Sequence, residues 1–297
     1  MTGLERGFLL LSSHLGEPRR KPLSTAQLRV LADRARTIQR PVQDRKLEVA
    51  DLIGLGYGRE QARRIIDLLS EEDVLDYYLR KGDVLGCTPI TRVSEGYPLH
   101  LRKRLGLDSP GVLWARGDVS LLQQPMVALV GSRELREENW RFAAEAGRQA
   151  AQQGYVLVSG NARGADRTAQ ESCLEAGGKV ISVVADELWK QPLRENVLYL
   201  SEDDFEEGFS SQRALSRNRV IHALGIVTFV AQSSLRIGGT WDGTVKNLQN
   251  RWSDVYGFDD GSGAMTELSQ MGMELITMEQ LKDFYDLPKS EQNIFDR

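Results

Sequence analysis

The chain has 297 residues, 41% hydrophobic and 27% charged, which suits a folded protein with one large and one smaller domain and excludes a disordered chain. No apolar run approaches the roughly 20 residues that span a bilayer, and Phe8 to Leu11 is too short for a secretion-signal core, so a cytoplasmic protein without membrane contact is expected. Cys87 and Cys173 stand far apart with only His14, His100 and His222 elsewhere, which argues against a metal cluster, and the net charge of −4 argues against binding through a general basic surface.

The first ninety or so residues read as helical. Ser24 caps a helix expected from Thr25 to Ile38, with Leu28, Leu31 and Ala35 at helical spacing. Further helices are expected from Gln43 to about Ile53, from Arg59 to Leu69 and from Glu72 to Arg80. Between the second and third, Leu52-Ile53-Gly54-Leu55-Gly56-Tyr57-Gly58 is similar to a helix–hairpin–helix turn, which offers backbone N–H groups to a DNA phosphate. A plain helix–helix connection with glycines at φ > 0 explains the same residues and carries more weight. Residues 1–108 hold 19 Lys/Arg against 15 Asp/Glu, so the rest of the chain is acidic. Any polyanion site there must come from focused arginines and backbone N–H groups.

Pro89, Tyr97-Pro98, Gly106 and Pro110 break the helical pattern. Beyond them, apolar runs alternate with helical stretches. The runs are Met126–Val130, Tyr155–Ser159, Lys179–Val184, Ile226–Ala231 and Asp254–Phe258. That alternation predicts an α/β fold, a parallel sheet covered on both faces, with ligands bound beyond the carboxyl ends of the strands. The expected division is a helical accessory domain over 1–92, a Rossmann-like domain over 93–278 and a short tail over 279–297.

Four loops carry the chemistry. After the first strand come Gly131, Ser132 and Arg133: room for an anion, a hydroxyl donor and a guanidinium clamp. After the second come Gly160, Arg163 and Gly164, with Asp166 read as a helix cap and not as an acid catalyst. The third is Arg213 to Ile221, in which Arg213 and Arg217 would share a helix face, Arg219 would point elsewhere, and Asn218 lies between. The fourth is Gly238-Gly239-Thr240 at a helix start, followed by Trp241, a candidate for base stacking or for the core. Each loop alone could be an ordinary capped turn; four together are more specific.

At these loops the chain resembles the DNA-processing protein A (Smf) family. The resemblance rests on Tyr97-Pro98, Leu113-Trp114-Ala115-Arg116-Gly117-Asp118, Gly131-Ser132-Arg133 and Ser159-Gly160-x-Ala162-Arg163-Gly164-x-Asp166. It continues through Ser201-Glu202, Arg217-Asn218-Arg219 and Gly263 to Gly272. It implies an extended Rossmann fold, homodimerisation, single-stranded DNA binding without a cofactor, and loading of the RecA recombinase onto that DNA. It also implies that Gly131, Ser132, Arg133, Gly160, Arg163 and Arg217 surround a phosphate-binding pocket. The chain departs from the pattern at Gln170, often histidine in the family, at Ala231-Gln232, which lacks an acidic residue, and at Ala214-Leu215, which replaces a Phe-Pro pair.

Two other functions compete with DNA binding. A nucleotide N-glycosidic hydrolase of the "lonely guy" type has a Gly-Gly-x-Gly-Thr stretch, interrupted here in Gly238 to Thr244. Lys246 and Asn247 stand in the region of the expected catalytic glutamate, leaving only Asp242 nearby. A sensor of small nucleotides in the same pocket is the other. No G-x-G-x-x-G follows the first strand, which disfavours a dinucleotide enzyme. The expectation is a non-catalytic, single-strand-binding protein.

Overall fold

The computed structural model describes residues 1–37 and 46–288. Five helices open the chain: α1 (Gly3–Ser12), α2 (Thr25–Ala35), α3 (Val49–Gly54), α4 (Arg59–Ser70) and α5 (Glu72–Val84). Capping boxes start the first two, through Thr2 with Glu5 and Ser24 with Gln27. The expected ends at Ile38 and Gln43 lie outside the described residues. α1 was not foreseen from the sequence.

Leu28, Leu31, Leu52, Tyr57, Ile65 and Leu68 of α2 to α4 and their connections form a small core of their own. α1 and α5 instead share the core of the main sheet. Tyr78 of α5 packs edge-on against Trp114 at 5.5 Å, and Trp114 against Phe205 at 4.8 Å. The segment 1–92 also contains a strand, so the helical part docks onto the sheet at this end.

The sheet has nine strands: β1 (Thr88–Thr91), β2 (Val112–Gly117), β3 (Met126–Val130), β4 (Val156–Ser159), β5 (Lys179–Val183), β6 (Val197–Ser201), β7 (Val227–Val230), β8 (Asp254–Phe258) and β9 (Glu274–Ile276). Their order is β1-β2-β6-β5-β4-β3-β7-β8-β9. β2 pairs antiparallel with both β1 and β6, and the other pairings are parallel. The strand–helix alternation thus holds for the centre, while the antiparallel extension at one edge was not foreseen.

The remaining helices are α6 (Leu99–Leu105), α7 (Glu137–Gln152), α8 (Ala165–Glu175), α9 (Ser211–Ser216), α10 (Asn218–Leu224), α11 (Gly238–Asn250) and α12 (Gly263–Gln270). β3 shows why both faces are covered. Val127 and Leu129 join Phe142 and Ala146 of α7 in one core. Ala128 and Val130 join Val220, Ile221 and Leu224 of α10 in the other, as the period of two requires.

The chain runs outward from β3 through β4, β5 and β6, then returns to place β7 on the other side of β3. Loops after β3 and β7 therefore diverge to opposite faces, opening a crevice at the strands' carboxyl ends. That crevice is where the four loops meet.

Beneath α11 lies a buried histidine. His222 Nδ1 sits 3.0 Å from Asn247 Nδ2 and 3.4 Å from Thr228 Oγ1, while its Nε2 is buried without a partner. Burial pushes its pKa down from 6.5 to about 3, so the ring is neutral when folded and protonates readily only when unfolded. Its contribution to stability is complete above pH 6.5 and is lost as pH falls from there toward 3. Between pH 7 and pH 5 this one group should lower stability by about 2 kcal/mol. Urea unfolding of the parent and of His222→Gln at both pH values isolates it from His100, which shifts in the same direction through burial. A pH dependence equal in the two proteins would contradict this reading.

Candidate functional site

A cavity of about 480 Å³ opens at the crevice. It is lined by Gly131, Ser132 and Arg133 after β3, by Ala162 and Asp166 after β4, by Arg217 and Asn218 between α9 and α10, and by Gly238, Gly239 and Thr240 at the start of α11. Segments from all four loops read from the sequence therefore converge.

Arg217 occupies the junction of α9 and α10, with helical φ −63° and ψ −19°. It is only 8% exposed, and its Nε is buried without a hydrogen-bond partner. The nearest acid, Asp166, lies 3.9 Å away, too long for a strong hydrogen bond. Burial dominates both groups. It lowers the pKa of Arg217, opposed by the Asp166 charge, and raises that of Asp166, opposed by the Arg217 charge. A guanidinium kept in such a place is incompletely compensated, and an entering anion would supply the missing partner.

Glycines shape the floor. The guanidinium of Arg217 lies where a side chain at Gly160 would begin, so only glycine leaves room for it. Gly164 has φ +89°, and a Cβ there would overlap the carbonyls of Ser132 and Arg133, bringing the β3 and β4 loops backbone to backbone. Ala165 N donates to Ser132 O at 3.1 Å and joins them. Gly131 passes beside Ala165, whose Cβ would sit 2.5 Å from an added one. These three positions need glycine for close approach.

Two departures from the family pattern support this floor. Gln170 Nε2 donates to Gly160 O and lies 3.3 Å from Ser182 Oγ. Gln232 accepts from Ser132 N at 3.0 Å through its carbonyl and from Arg136 N at 3.0 Å through Oε1, and donates to Glu134 O at 3.0 Å. It thereby pins the whole 132–136 turn.

The start of α11 forms the opposite wall. Its N-cap, Ile237, makes no side-chain cap hydrogen bond, so the first N–H groups carry the helix's partial positive charge unsatisfied by a side chain. Asn218 Nδ2 donates to Gly239 O at 3.0 Å and fixes this wall against α10.

Several side chains stand elsewhere than the sequence suggested. Arg213 and Arg217 do not share an uninterrupted helix. Arg213 is held by Asp203 at 2.6 Å and by the carbonyls of Ala185, Glu207 and Gly208. Arg219 points away from Arg217, as its spacing predicted, but it lines a different cavity, bound to Glu202 at 2.6 Å and to Asp108 O at 3.0 Å, which takes it out of the expected phosphate contact. The Ser132 hydroxyl already donates to Gln232 O at 3.2 Å. Trp241 is buried in the core beside α10, which removes it as a stacking surface.

Arg163 lines an adjoining groove of about 330 Å³, shared with Arg133, Asn161 and Arg217. Its 3.3 Å pair with Glu134 joins two largely exposed side chains, and such a pair contributes little and opens easily. The same groove presents Phe209, 60% exposed, a residue the sequence reading passed over. Its one signal was an aromatic side chain within the polar stretch Glu206 to Ser211.

A doubly wound sheet with arginines and an uncapped helix start at its switch point defines a Rossmann-like α/β protein. A sequence profile of the DNA recombination-mediator protein A family matches residues 88–258, which include every one of these loops. The chain belongs to that family.

The DNA processing protein DprA of Streptococcus pneumoniae is 29% identical over 188 residues, covering 58% of this chain and 66% of the relative's length. That of Bacillus subtilis is 28% identical over 219 residues, covering 68% of this chain and 71% of the relative. Among solved structures, DNA processing protein A from S. pneumoniae superposes with a TM-score of 0.69 at 23% identity, covering 95% of this chain and 96% of that one. The Helicobacter pylori protein gives 0.56 at 22% identity, covering 66% and 94%. Both superpositions establish likeness of fold.

Proposed function

We propose that this chain binds single-stranded DNA by its phosphates, in the cavity at the tips of β3, β4 and β7, and acts as a binding module rather than an enzyme. The observation that carries this reading is the buried Arg217 guanidinium, with an unpartnered Nε and its nearest acid, Asp166, 3.9 Å away, set in a cavity open to an anion. The solved H. pylori relative is described as binding single-stranded DNA, and the shared family supports the same ligand here.

In this reading Arg217 and Arg133 clamp a phosphate against the N–H groups of Gly131, Gly238, Gly239 and Thr240. Arg163 extends the charge along the groove, where Phe209 offers a face to a base. Gly160 and Gly164 act by shaping the floor. Asn218 acts by holding the far wall, and Arg219 braces α10 outside the contact. The family resemblance adds a homodimer and a recombinase of the RecA type as partner. The helical segment 1–92 would be an accessory part beside the Rossmann-like domain 93–278.

The hydrolase alternative is weaker. Asp242 faces the cavity that holds Arg219. In the proposed site, Asp166 already accepts a hydrogen bond from Ala162 N at 3.3 Å.

Fluorescence anisotropy with an oligo-dT of about 6 nucleotides tests the proposal. Two phosphates, one clamped by Arg217 and Arg133 and one met by Arg163, predict that log K falls with log salt with a slope of about −1.4. Binding of free mononucleotide in preference to the oligonucleotide, or no binding at all, would refute it.

A further inference from the structure

The proposed function leaves unused the cations of the N-terminal helices. A groove of about 670 Å³ separates the 19–21 turn from α4 and is lined by six basic residues against three acidic ones. Its cations fall into two kinds. Arg20 is buried and fully engaged, pairing with Glu71 at 2.6 Å and donating to the carbonyls of Ser13 and Leu10. Arg64 donates to Lys21 O at 2.8 Å and Pro22 O at 3.0 Å. These two fasten the turn against α4.

The other four, Arg19, Lys21, Arg59 and Arg63, are exposed. Among the described residues none makes a side-chain ion pair. Glu71 is taken by Arg20, leaving Glu60 and Asp67 against the four. Four exposed cations with no ion pair among the described residues are unusual for a chain of net charge −4. They repel one another unless a polyanion covers them.

We infer that this groove is a second nucleic-acid site, taking the phosphodiester backbone of a strand whose other part lies in the first cavity. Charge complementarity identifies the occupant: spaced cations of one sign suit repeated phosphates. The adjacent turn is compatible with close approach, since nothing lies within 4 Å of the positions where side chains at Gly54 or Gly58 would begin. The inference rests on the DNA-binding reading above but predicts a different length dependence. In this proposal a short strand occupies only the first cavity, and a long one occupies both.

The test compares oligo-dT of about 6 and about 30 nucleotides, lengths within and above a single-site footprint of about 4–16 nucleotides, on the full chain and on Arg59→Gln/Arg63→Gln. Losing two contacts should lower affinity for the long strand roughly tenfold at 0.1 M salt and reduce the salt slope by about 1.4. Affinity for the short strand should stay unchanged, and Arg59→Lys/Arg63→Lys should retain long-strand binding. Unchanged long-strand affinity and slope in the glutamine variant would overturn this inference while leaving the first site intact. Equal loss for both lengths would also overturn it. Failure of the parent to bind the short strand would instead strike the reading on which it rests.

Discussion

Arg217→Ala should weaken oligo-dT binding by about 100-fold, the worth of a forked pair of charge-assisted hydrogen bonds in a dry setting. The cost to the fold should be smaller. Removing one member of a buried pair normally strands the other charge, but burial already raises the pKa of Asp166. It can take up a proton once Arg217 is gone, so a loss of only about 2 kcal/mol in urea unfolding is expected. Arg217→Lys keeps the charge but loses the planar fork, and should recover only part of the affinity. An alanine variant that binds as well as the parent would remove Arg217 from the contact.

Gly160→Ala should lose nearly as much affinity with every arginine still present. The new methyl group would occupy the space of the guanidinium. The loop cannot easily yield, because Gln170 and Ser182 Oγ both bond to Gly160 O. Arg217 would be forced out of its cleft and Asp166 left without its countercharge. If the glycine acts only through that arginine, Gly160→Ala/Arg217→Ala should bind no worse than either single variant. Additive losses, measured by the same anisotropy titration, would mean that Gly160 contacts DNA on its own.

How much of this could be read from the sequence depended on how local each signal was. Strand–loop–helix order was local, and it located β3, β4, β5, β7 and β8 and three of the loops that meet at the switch point. β6 escaped because its crossover from β5 holds only a short turn at Leu188–Lys190 in place of a helix. β1 lies in the stretch read only as broken pattern, and β2, its antiparallel partner, in a segment noted only for the family resemblance.

At the site, glycines were legible because their freedom is a property of the residue itself. Arginine partners were not, since they depend on acids brought together by folding. Glu202 captures Arg219 across 17 positions, and Asp203 captures Arg213. Arg217 is left to the cavity because α9 ends just before it, and its nearest acid, Asp166 of α8, stands 3.9 Å away. Trp241 read more readily as core or interface than as a stacking face, and it is buried with α10 in one core.

The most direct test of the account is a crystal structure of the full chain with a short oligo-dT. The expected result is a phosphate between Arg217, Arg133 and the first N–H groups of α11, with Arg217 Nε engaged. A strand bound on another face, with Arg217 untouched, would contradict it.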